Sequence, residues 1–112
     1  MDKTHGQDFV VVMITSPSIE VASRIADALL AAKLVACVNI LPAIQSHYRW
    51  QGEIHHDDEV LMMAKTRRAL FGQDFINTVR RHHPYDVPEM IALPILDGSP
   101  DYLGWIDEVT RK

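Results

Sequence analysis

The chain holds one cysteine, Cys37, in 112 residues, so no disulfide can form within it. That scarcity suits a reducing compartment. No segment approaches the roughly 20 apolar residues that a membrane helix needs. Basic runs are missing too. The net charge is −4, and adjacent arginines occur only at Arg67-Arg68 and Arg80-Arg81, which disfavours a nucleic-acid partner. Residues 1–7 (MDKTHGQ) lack the apolar centre of a signal peptide, so the expected location is cytoplasmic. There is no low-complexity tract, repeat or linker. Nothing in the chain matches a P-loop, a dinucleotide fingerprint, or a Ser-His-Asp or Cys-His arrangement, so no enzyme is indicated.

What is there is enough for a core. Hydrophobic residues make up 47% of the chain, and the length fits one domain. The reading is a flexible tail over 1–8 and a single domain over 9–112. A chain this short leaves much of its surface in water, which favours extra burial between copies.

Phe9 to Thr15 (FVVVMIT) is β-branched and apolar throughout, the pattern of a central strand buried on both faces. Ser16-Pro17 supplies a helix cap and a first-turn proline. Ala22, Ile25, Ala26 and Leu29 then form an apolar stripe to about Lys33. Residues 36–50 read as extended, bent once at Pro42, and Gln51-Gly52 turns the chain into a partner strand over 53–65. A second helix is predicted over 68–83, burying Phe71, Phe75, Ile76 and Val79, and ended by Pro84. Pro88 to Ile95 reads as an edge strand. Asp97-Gly98-Ser99-Pro100 opens a last helix on Tyr102, Trp105, Ile106 and Val109, with Arg111 and Lys112 suiting its dipole. The order β-α-β-β-α-β plus a helix implies an α+β, ferredoxin-like sheet with two helices on one face.

The hairpin is long for such a domain. A strand of about 15 residues spans roughly 50 Å, whereas a compact domain of this size is roughly 35 Å across. The tip, with Tyr48, Trp50 and Ile54, should therefore overhang. An isolated ribbon is marginal in water, so pairing with further copies is expected. The other outcome is a break at Pro42 that folds the tip back.

Chemistry-bearing residues are densest at Arg81-His82-His83-Pro84-Tyr85-Asp86-Val87-Pro88-Glu89. Imidazole suits copper, zinc and nickel. His82 and His83 sit about 100° apart on a helix, so both reach one ion only if the helix frays; otherwise they complement its C-terminus. Asp86 and Glu89 suit acid–base work or hard metal ligation, although turn roles also explain Asp86. Glu59 and Lys65 share one face of their strand, as an ion pair or as an anion site in a cleft. Tyr48, Trp50 and Trp105 suit packing, or stacking on a ligand. In His55-His56-Asp57-Asp58 the faces alternate, which reads as a solvated strand. Cys37 reads as a packing residue.

Several linked motifs carry a resemblance. They are Ala36-Cys37-Val38-Asn39-Ile40, Ser46-His47-Tyr48-Arg49-Trp50-Gln51-Gly52-Glu53-Ile54 and Glu59-Val60-Leu61-Met62-Met63-Ala64-Lys65-Thr66. His83-Pro84-Tyr85-Asp86-Val87-Pro88-Glu89 and Tyr102-Leu103-Gly104-Trp105-Ile106 follow in the same order. Together they resemble the CutA divalent-cation-tolerance family from Phe9 onward. The resemblance implies a homotrimer built through long hairpins, shaped like the PII signalling proteins and linked with copper tolerance. It also implies copper or zinc, weakly bound, at His82 and His83. Copper-binding members add a cysteine late in the first strand; that position is Ile14 here. The alternative is a PII-like sensor or trimeric scaffold taking a small anion near Lys65 between subunits. A weaker option is an enzyme using Asp86 or Glu89 as base.

Overall fold

A computed structural model describes residues 8–111. Of the expected tail over 1–8, residues 1–7 lie outside the described residues, as does Lys112. Strand β1 spans Phe9–Ser16, helix α1 Ile19–Ala31, β2 Cys37–Trp50, β3 Glu53–Arg67, α2 Gln73–His82, β4 Met90–Pro94 and α3 Pro100–Val109. The four strands form one antiparallel sheet in the order β2-β3-β1-β4. That is the ferredoxin-like arrangement expected, with β4 at an edge.

Alternation decides which face is covered. Val10, Val12 and Ile14 of β1 pair near Met62 and Ala64 of β3 and point to one side. There they meet Ala22, Ile25 and Leu29 of α1 and Phe75 and Val79 of α2. Burying each large apolar side chain contributes about 1.5–3 kcal/mol. The other face is only half covered: Val11, Met13, Leu61 and Met63 remain partly accessible. So β1 is central but is not buried on both faces.

Helix α3 covers one end of that second face, with Leu103 and Ile106 against Phe9 and Ala36. Tyr102 and Trp105, expected on the buried stripe, are 41% and 39% exposed. Arg67 fastens the end of α3 by donating Nε–H to the Thr110 hydroxyl at 2.8 Å and Nη2–H to its carbonyl at 3.2 Å.

Local signals differ from expectation in two further places. Ser16 stays in β1, opposite Val60, and Ser18 caps α1 by accepting from Val21 N–H at 3.2 Å. Arg68–Leu70 forms a short 3-10 turn, and extended backbone at Gly72 delays α2 to Gln73. Phe75 and Val79 are buried there as predicted, joined by Thr78; Phe71 and Ile76 are half-buried.

The hairpin does overhang. The molecule measures 51 × 25 × 23 Å, and pairing resumes at Ile44 opposite Glu59 and continues to Trp50 opposite Glu53. Pro42 marks a bulge rather than a break: Pro42 and Ala43 stand opposite Val60 alone, with Ala43 at φ 66°.

Candidate functional site

The bulge sets the site. One extra residue in β2 reverses which of its side chains share a side with β3. Below the bulge Asn39 faces with Met63; beyond it Ser46, Tyr48 and Trp50 pair with Asp57, His55 and Glu53. Tyr48 and Trp50 therefore join the side of the sheet that carries Glu59. The two-residue turn holds this register with positive φ at Gln51 (50°) and Gly52 (80°).

The loop after α2 closes the other wall. His83 ends the helix in extended backbone and is buried, 7% exposed. Its Nε2–H donates to the Thr15 carbonyl at 2.7 Å, and its Nδ1 accepts from Tyr85 N–H at 3.3 Å. This fixes the tautomer and anchors the loop to β1. The Tyr85 hydroxyl then donates to Glu59 Oε2 at 2.7 Å. Burial, and next the bond to Glu59, push the Tyr85 phenol above the usual tyrosine range.

Between these walls lies an open cleft of about 480 Å3, lined in part by Tyr48, Trp50, Glu59, Asp86 and Glu89. Of the sequence-derived candidates, these five come together. Lys65 does not join them. Six residues of strand place it roughly 20 Å from Glu59, and its ammonium donates to Asn39 Oδ1 instead. Neither an ion pair with Glu59 nor a place in the cleft is formed. His82 lies exposed on the last residue of α2. Ile14, at the position of the resemblance's cysteine, is fully buried in the core. With both His83 nitrogens engaged by backbone, the copper set implied by resemblance is not assembled in this conformation.

Two further clusters lie on the same chain, one of them reaching the cleft through Tyr48. Cys37 is not merely packed: its sulfur is 3.3 Å from the Tyr102 hydroxyl, and that contact, ahead of burial, raises the Tyr102 phenol to about 12. Trp105 stacks obliquely beside Tyr102 at 5.6 Å. On the hairpin, Tyr48 donates to Asp57 and stacks on His55 at 5.3 Å. Sequence reasoning overlooked His47, which borders the cleft and lies across from His56.

The whole chain between residues 10 and 109 matches the family model of the CutA1 divalent ion tolerance protein. The chain belongs to the CutA1 divalent ion tolerance family. The divalent-cation tolerance protein CutA of Thermus thermophilus is 50% identical over 100 residues, 89% of this chain and 96% of the relative. Protein CutA of Mus musculus is 47% identical over 99 residues, 88% of this chain. The chain spans about half the length of that animal relative, 55%. The crystal structure of CutA1 from Oryza sativa superposes with a TM-score of 0.88 at 43% identity, covering 94% of this chain and 95% of the rice chain. The CutA1 family is named for tolerance to divalent ions rather than for a reaction. Among the described residues, no three His, Cys, Asp or Glu side chains stand close enough to hold a metal ion together. No helix among them is long and apolar enough to cross a membrane.

Proposed function

We propose that the protein is a self-associating, divalent-cation-binding member of the CutA1 family, with cations taken at the acidic cleft. The observation that carries this is that Glu59, Asp86 and Glu89 line one cleft whose lining holds no lysine or arginine, although the three do not stand close enough together to share one ion. Carboxylates are hard oxygen donors suited to magnesium, calcium and manganese. Water, or a side chain from another copy, completes the shell. Weak binding of this kind fits exchange and buffering of ions better than permanent storage.

Assembly into a trimer follows the family resemblance and is supported by two features. Leu41, Ile91 and Leu93 leave the open sheet face apolar, and Ile54 is bare at the overhanging tip. The rival reading, a sensor for a small anion at Lys65 between subunits, has less support, because the Lys65 ammonium already donates to Asn39 Oδ1.

Titration calorimetry with manganese(II) tests the cleft, comparing wild type with Asp86→Asn/Glu89→Gln. The double variant should lose the manganese heats. Identical heats in both proteins would defeat the proposal.

A further inference from the structure

The β2–β3 hairpin carries a histidine pair on the side of the ribbon opposite Glu59, although His47 reaches the cleft rim. We propose that His47 and His56 chelate a borderline transition-metal ion, zinc(II), copper(II) or nickel(II), across the two strands. They are direct partners in the ladder. Their rings stack with centroids 4.4 Å apart and planes inclined by 29°.

The distances suit one ion. Directly opposed side chains have Cβ atoms about 4.5–5.5 Å apart, and a zinc–imidazole bond is about 2.0–2.1 Å. Small rotations about χ1 and χ2 turn two ring nitrogens from stacking toward a shared point. Both residues are exposed in the single chain, so those rotations disturb no packing within it. The ladder already fixes both backbones, which lowers the entropy lost on binding. This is the reverse of His83, whose two nitrogens are spoken for by backbone groups.

The rest of the coordination shell is water. Asp57, on the other side of the strand, is held by the Tyr48 hydroxyl. Asp58 shares the His56 side, opposite Gln45. A diagonal neighbour at about 7–8 Å is too far for direct ligation alongside the pair but within reach of a metal-bound water. Two protein donors and open water positions give a site that exchanges its ion readily. Imidazole also selects a different class of cation from the cleft carboxylates, so this site is independent of the cleft reading.

Calorimetric titration of zinc(II) and nickel(II) into the full chain tests it. His47→Gln and His56→Gln should each weaken binding at least tenfold, whereas Asp86→Asn/Glu89→Gln and His82→Ala should keep it. Wild-type affinity in both glutamine variants overturns the proposal, and so does loss of binding in His82→Ala. Loss of manganese binding alone in the carboxylate variant concerns only the cleft. Should a glutamine variant unfold, nickel-induced NMR line broadening on the wild type decides. Broadening centred on residues 47 and 56 supports the pair; broadening centred on His82 or Asp86 overturns it.

Discussion

The Tyr85 hydroxyl donates to Glu59 Oε2 at 2.7 Å, joining the loop after α2 to the middle of β3. Glu59 is only 6% exposed. A buried carboxylate that loses a donor keeps its desolvation cost, typically about 1–3 kcal/mol. Tyr85→Phe should therefore destabilise the fold by about that amount, lowering the urea midpoint. A midpoint within error of wild type would show that water replaces the phenol at no cost.

The same bond gives stability an alkaline limit. A tyrosine in an unfolded chain ionises near 10, and the folded state holds the Tyr85 phenol higher than that. Above pH 10 the unfolded chain has released a proton that the folded chain still holds, so stability falls as pH rises. The contribution is complete below pH 10 and declines above it. Urea unfolding between pH 8 and pH 11 should show the decline in wild type and a shallower one in Tyr85→Phe. Parallel curves would remove Tyr85 as the cause.

The bulge predicts a stabilising substitution. Ala43 holds φ at 66°, a conformation costing a non-glycine residue roughly 1–2 kcal/mol. Glycine relieves that strain but adds freedom to the unfolded chain. Ala43→Gly should gain up to about 1 kcal/mol net. Deleting Ala43 instead removes the reversal and takes Tyr48 and Trp50 off the Glu59 side. Trp50 also lines the cleft, and its fluorescence should then stop responding to manganese(II).

How far the chain could be read depended on the range of each signal. The element order, the α1 stripe and the two-residue turn are local patterns, and they appear as expected. The α3 stripe was misjudged because Tyr102-Trp105 and Leu103-Ile106 share the same helical spacing. Periodicity finds a stripe, but the sheet decides which flank is buried. Ser16 and Ser18 were likewise equivalent until β1 took one more pair, Ser16 opposite Val60. The bulge sends Tyr48 and Trp50 to the side of Glu59, and the pattern of residues 36–50 does not announce which side they take. Glu59 and Lys65 do share a face of β3, but six residues of strand keep them too far apart for an ion pair, and Lys65 bonds to Asn39 instead. The role of His83 rests on Thr15, far away in the chain, and no local pattern announces it. His47 was within reach: a turn at Gln51-Gly52 sets Trp50 against Glu53, and three steps back along each strand set His47 against His56.

The open sheet face makes the last prediction. Ile91 and Leu93 of β4 are 50% and 49% exposed and stand opposite Met13 and Val11 of β1. Within one copy each contributes little, since half its surface already meets water. Between copies the same surface would be buried, and a charge placed there would lose its hydration without a partner. Leu93→Asp should therefore leave the circular dichroism spectrum of the chain unchanged yet reduce its sedimenting mass. Wild type should sediment above the mass of one chain, 12.7 kDa. If wild type already sediments as a monomer, the assembly reading fails. A variant that keeps the full assembled mass would place the contact elsewhere, toward the hairpin tip at Ile54.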